Sequence, residues 1–95
     1  MKFEWDERKN LSNQQKHGVD FETASFIFDD PNAVSIQDRF VDEEERWQII
    51  GQIAGLMIAL VAHTVRLEED TEIIRIISAR KATKEERNEY EKSIW

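Results

Sequence analysis

Apolar residues along this chain follow two rhythms, and the change between them falls near Pro31. Before it the pattern is mostly helical. "KFEW" reads as a short first strand, and Asp6 can then cap a helix running to about His17, with Gly18 in the position that commonly ends one. That helix is polar, Leu11 being its only large apolar residue. Asp20 can cap a second helix, with Val19 and Ala24 placed as a hydrophobic staple. Phe21, Ala24, Ile27 and Phe28 form its apolar stripe, and Asp29 to Pro31 end it.

From Ala33 the spacing becomes that of strands. "AVSIQ" alternates, and "RWQIIGQI", "GLMIALVAHTV" and "EIIRIISA" read as three longer strands. Ala54-Gly55 predicts a tight hairpin, and "LEEDTE" a second, solvated hairpin loop. The two middle strands are apolar on both faces, so the sheet needs cover on both: helices on one side and something else on the other. Thr83 with Glu86 forms a capping box that opens a third helix, on which Tyr90 and Ile94 share a face. The order β-α-α-β-β-β-β-α with short connections predicts an α+β class. The expected architecture is a small antiparallel β-sheet meander packed by N-terminal helices and a C-terminal helix, in a single domain over residues 1–95.

Charge changes this picture in one respect. The 95 residues carry a formal net charge of −7, which by itself argues against a nucleic-acid partner. The acids are not evenly spread. Residues 38–45 and 68–72 hold nine of the 20 acids against one base, Arg39, which leaves 11 acids and 12 Lys and Arg elsewhere. A cationic surface is therefore compatible with an acidic chain. The absence of cysteine excludes disulfides and thiolate metal sites. The longest apolar run, Leu56 to Ala62, is too short to span a bilayer. No apolar segment follows Lys2 in the manner of a signal peptide, so a cytoplasmic protein is expected, with no membrane association.

The candidate chemistry lies in cations near strand ends. Arg46, Arg66, Arg75 and Arg80 fall at strand positions or ends, where neighbouring strands can bring guanidiniums together on one face to grip phosphate. The alternative for each is an ion pair with the acidic segments. Arg80 is favoured for phosphate, because it precedes a capped helix and has Lys81 and Lys84 nearby. His17, beside Lys16 in the last turn of the first helix, is placed for acid–base work or simply for the helix dipole. His63, among apolar residues, reads as a core histidine. The "DEEE" run, Asp42 to Glu45, lacks metal-ligand spacing and reads as a solvated loop. No metal site is expected. Trp5, Trp47 and Tyr90 are suited either to the core or to stacking on unpaired bases.

Several of these stretches together resemble a known family. They are "FEWD"; Asn13 with Lys16, His17, Gly18 and Val19, followed by Asp20 and Phe21; Ala24 with Phe28 to Pro31; Glu45-Arg46; Thr64 with Arg66; and "IRIISARKATKEER" through Tyr90. In this order they are similar to the BrnT-type toxins of type II toxin–antitoxin systems, within the RelE/ParE-like group. The resemblance implies a RelE-like fold and a ribonuclease that inhibits growth by degrading RNA, without a cofactor. It also implies a BrnA-like antitoxin with a ribbon-helix-helix part, the complex repressing its own operon, so that operator DNA is met only through the antitoxin. Under this reading Arg46, Arg66 and Arg80 serve phosphate, with Arg75 a further candidate. His17 or Glu45 serves proton transfer, and Lys16, Lys81, Trp5 and Tyr90 contact RNA. Two other readings compete: a non-enzymatic ParE-like toxin that traps a DNA-handling target or a decayed co-repressor, and a domain whose arginines only pair with acids.

Overall fold

A computed structural model describes residues 1–53 and 57–94. The elements run β1 (Lys2–Glu4), α1 (Glu7–His17), α2 (Phe21–Ser25), a 3-10 turn (Phe26–Asp29), β2 (Val34–Val41), β3 (Glu44–Ile53), β4 (Met57–Glu68), β5 (Thr71–Lys81) and α3 (Lys84–Ile94). The predicted caps are all present. The Asp6 side chain accepts from the backbone N–H groups of Arg8 and Lys9, and Gly18 ends α1 at φ 74, a left-handed conformation that glycine adopts without steric cost. Asp20 accepts from the Thr23 N–H. Thr83 and Glu86 bond reciprocally: the Thr83 N–H donates to Glu86 Oε1 at 2.8 Å, and the Glu86 N–H donates to Thr83 Oγ1 at 3.2 Å.

The sheet has the order β1-β5-β4-β3-β2. Strands β2 to β5 form the predicted antiparallel meander, whereas β1 pairs with β5 in parallel, so the five-stranded sheet is mixed. The Ala54-Gly55 hairpin lies outside the described residues. The acidic segments differ from the expected loops. Only Asp42-Glu43 and Glu69-Asp70 turn, each as a two-residue pair with positive φ at both positions, while Glu44, Glu45, Glu68 and Glu72 lie in strands. Positive φ at both central positions matches the right-handed twist of the strands, and both turns fall at the same end of the sheet.

Each face has its own core. On one face α1, α2 and the 3-10 turn cover Ile49, Ile53, Val61, Ile74, Ile76 and Ala79 with Val19, Phe21, Ala24 and Ile27. On the other face Tyr90 of α3 packs on Ile50 and Leu60. The predicted second cover is thus α3. Its anchor is polar as well, since the Tyr90 hydroxyl donates to Asp30 Oδ2 at 2.7 Å. Asp30 also accepts from the N–H groups of Gln52 and Asn32, which ties the 3-10 turn, β3 and α3 together. Burial pushes the Asp30 carboxyl up, and these three hydrogen bonds outweigh it and hold the group below its ordinary value.

One irregularity sets which residues share a face. Ala62 pairs with Ser78 but His63 pairs with Ile76, so Ile77 is an extra residue in β5. Arg75 and Arg80 are an odd number of positions apart and would otherwise point to opposite faces. The bulge at Ile77 brings them to the same one. That face is the one α3 covers in part, because Arg80 pairs with Leu60 and Arg75 with Thr64.

Candidate functional site

The sheet's alternation collects four arginines on the face that α3 leaves partly open. Arg66 and Thr64 follow Leu60 at even spacing on β4, and Arg46 precedes Ile50 at even spacing on β3. Continuing the Trp47–His63 register by one residue sets Arg46 beside Thr64, which in turn faces Arg75. With strands about 4.8 Å apart, the Cα atoms of Arg46 and Arg75 lie about 10 Å from each other, within reach of one phosphodiester. Arg66 is two residues from Thr64 on the same strand. Arg80 stands farther along β5, against α3.

Their partners differ. Arg66 donates from Nη1 and Nη2 to the two oxygens of Glu4, both at 2.9 Å, and from Nε to Glu68 at 3.3 Å. Arg75 donates to the same Glu4 at 3.1 Å. The Arg66 hydrogen bonds, with Arg75 adding to them against the cost of burial, hold the Glu4 carboxyl down at about 2. Arg80 forms a bidentate pair with Glu86, at 2.7 and 2.9 Å, and also donates to the Lys81 carbonyl at 3.2 Å. Glu86 is the capping-box acid of α3, so Arg80 is committed to the start of that helix. Among the described residues Arg46 forms no ion pair, and its Nε is buried without a hydrogen-bond partner.

The proton-transfer candidates are separated. Glu45 points to the opposite face, where it accepts from Trp47 Nε1 at 3.2 Å and from Gln37 Nε2. His17 is exposed at the end of α1, which lies along the edge of β5 beyond β1. Asn13 fixes that helix as a surrogate strand: its amide nitrogen donates to the carbonyls of Ala79 and Val19 at 2.7 and 2.9 Å, and its oxygen accepts from the Ala79 N–H at 3.1 Å. The resulting groove, of about 340 Å³, is lined by Arg8, Lys9, Lys16 and His17 from the helix and by Ile77 and Ser78 from the strand. Ser78 belongs by alternation to the arginine face, but Arg46, Arg66, Arg75 and Arg80 do not line the groove.

The remaining candidates fall elsewhere. Tyr90 is buried against Ile50 and Leu60 and has no face free for a base. Trp5 is half-buried edge-on to Phe21, with centroids 6.2 Å apart. Lys81 is exposed at the end of β5, paired with Ala59 on the other face. His63 is a core residue, packed edge-on against Phe28 at 4.9 Å, and burial lowers its pKa. Among the described residues no group of three or more His, Cys, Asp or Glu is arranged to hold a metal ion, and no helix is long and apolar enough to cross a membrane. Three residues at these surfaces escaped sequence reasoning: Glu4, because its partners are more than 60 residues away, and the cations Arg8 and Lys9, because an exposed helix normally carries such residues.

A sheet face with clustered arginines and a nearby cationic groove, on a small α+β fold, is an arrangement whose chemistry suits phosphate. The chain belongs to the family of BrnT ribonuclease toxins of type II toxin–antitoxin systems, whose family model matches residues 5–86. It is also similar to the crystal structure of the Brucella abortus ribonuclease toxin BrnT, at 28% identity and a TM-score of 0.61, over 88% of this chain and 99% of that one. Among curated proteins no relative matches.

Proposed function

We propose that this protein is an endoribonuclease toxin that binds RNA across the arginine face and cleaves it without a metal ion. The observation that carries the reading is the grouping of Arg46, Arg66 and Arg75 around Thr64, with Arg46 unpaired among the described residues. A guanidinium stays charged and matches the oxygens of a phosphate in two-point contacts. In the reaction the ribose 2′-hydroxyl gives its proton to a base, and its oxygen bonds to the adjacent phosphorus. The bond from phosphorus to the 5′-oxygen then breaks, and that oxygen receives a proton. The products carry a 2′,3′-cyclic phosphate and a 5′-hydroxyl.

Arg46 and Arg75 neutralise charge on the pentacoordinate phosphorus, the step where fixed cations contribute most. His17 supplies one proton transfer from the groove at the β5 edge, where Ser78 of the arginine-bearing strand also lies. Glu45, on the opposite face, does not reach them. Lys16, Arg8 and Lys9 hold the neighbouring backbone of the RNA. Arg80 keeps α3 in place beside the site.

Toxicity in the cytoplasm would be neutralised by a BrnA-like antitoxin, and the complex would repress its own operon. Induction of the wild-type chain should arrest growth and degrade cellular RNA, whereas Arg46→Ala and His17→Ala should do neither at equal soluble protein. Arrest by both variants with RNA intact would instead favour a non-enzymatic, ParE-like target binder.

A further inference from the structure

The opposite end of the helix-covered face carries a surface that the ribonuclease reading leaves unused. Helical cover on that face stops at Phe28, whose ring meets Phe3 at 5.4 Å. Beyond it Phe40, 65% exposed, and Leu67, 74% exposed, project into solvent with Val65 and the half-exposed Phe3. The register puts all four on one face: Phe3 and Val65 each pair with Ile74, Leu67 with Glu72, and Phe40 with Glu45. An apolar patch left in solvent and rimmed by polar groups marks an interaction surface.

Its rim is acidic. Glu45 and Glu72 stand within it, and the turn residues Asp42, Glu43, Glu69 and Asp70 close the end of the sheet beside it. Of the nearby cations, Lys2 pairs with Ile73 and Arg66 pairs with Glu4, both on the arginine face, and Arg39 lies in the irregular part of β2. Carboxylates repel RNA. They also disfavour a second copy of this chain, since stacking two such patches would bring six or more acids together without counter-charge.

We propose that this surface docks a cationic amphipathic segment of a protein partner, with aliphatic side chains on Phe40, Val65 and Leu67 and Lys or Arg against the rim. Assigning that partner as the neutralising antitoxin rests on the toxin–antitoxin reading; the docking chemistry does not. Bound there, a partner covers the turn end of the helix-covered face and does not occupy the arginine face.

The test is a titration of the full-length, ¹⁵N-labelled chain with a synthetic 18-residue helical peptide of leucine and lysine having one apolar face. A leucine–glutamate peptide of the same pattern serves as control. Amide shifts should gather at Phe3, Phe40, Val65, Leu67 and Glu72. Affinity should fall at least tenfold in the Phe40→Ser/Leu67→Ser variant and weaken with salt, and the acidic peptide should not bind. These side chains are exposed, so the variant should keep its thermal midpoint and its RNA cleavage. Shifts confined to α3 or the arginine face, equal binding of both peptides, unchanged affinity of the variant, or a dimer held by this face would overturn the proposal. So would loss of RNA cleavage in a folded variant. Peptide binding by a chain that cleaves no RNA would leave it standing and remove the ribonuclease reading.

Discussion

Replacing Glu4 with glutamine removes the carboxylate that Arg66 and Arg75 share. Glu4 accepts two bonds of 2.9 Å from Arg66 and one of 3.1 Å from Arg75, the arrangement in which two arginines would hold a phosphate. Carboxylate and RNA therefore compete for the same donors. A carboxylate about 5 Å from a bound phosphate repels it by about 0.8 kcal/mol even at the dielectric constant of water, about fourfold in affinity. Freeing the donors for one more phosphate contact should steepen the salt dependence of single-strand binding by about 0.7 in log–log slope. The fold should lose little. The side chains of Arg66, Arg75 and Glu4 are 45%, 39% and 35% exposed, and pairs so solvated contribute little to stability. Fluorescence anisotropy with a labelled 2′-O-methyl RNA, which lacks the attacking hydroxyl, measures binding without cleavage. Glu4→Gln should bind about fourfold more tightly at 50 mM salt, with the steeper slope. Equal or weaker binding with an unchanged slope would show that Arg66 and Arg75 do not meet RNA.

Two further substitutions separate structural from functional roles. Arg80→Ala strands Glu86, so α3 should fray first: hydrogen exchange at residues 84–88 should accelerate and stability fall by about 1 kcal/mol, with activity lost only as far as α3 is lost. Tyr90→Phe removes one donor from Asp30 and should cost about 1.5 kcal/mol at pH 7 by denaturant titration. The Asp30 carboxyl is held below its ordinary value of 3.8. Its contribution is therefore complete above that pH and is lost as pH falls through the lower folded value, so the difference between Tyr90→Phe and wild type should shrink in acid.

Much of the fold is legible because it rests on local signals. Asp6, Gly18, Asp20 and the Thr83–Glu86 pair fix helix ends through neighbours a few residues away, while alternation marks β2 and longer apolar runs mark β3 to β5. The site is less legible because it depends on long-range register. Nothing in the three residues of β1 says that it will lie parallel to β5 and deliver Glu4 to two arginines. Nothing in "IIRIISARK" announces that Ile77 is extra, yet that one residue decides whether Arg75 and Arg80 share a face. Arg80 illustrates the consequence. From sequence it is the arginine best placed for phosphate, being next to a helix start. In the structure that same helix start supplies Glu86, which occupies it. Arg46, one candidate among four in the sequence, is the one of those four arginines without an ion pair among the described residues.

The arginine face is tested most directly by the purified protein acting on a defined RNA in the presence of a chelator, with the product ends analysed. The wild-type chain should leave 2′,3′-cyclic phosphate ends and should not cut the 2′-O-methyl version of the same RNA. Arg46→Ala should cut about 10² to 10³ times more slowly, with its thermal midpoint unchanged. Cleavage by Arg46→Ala at the wild-type rate would contradict the account.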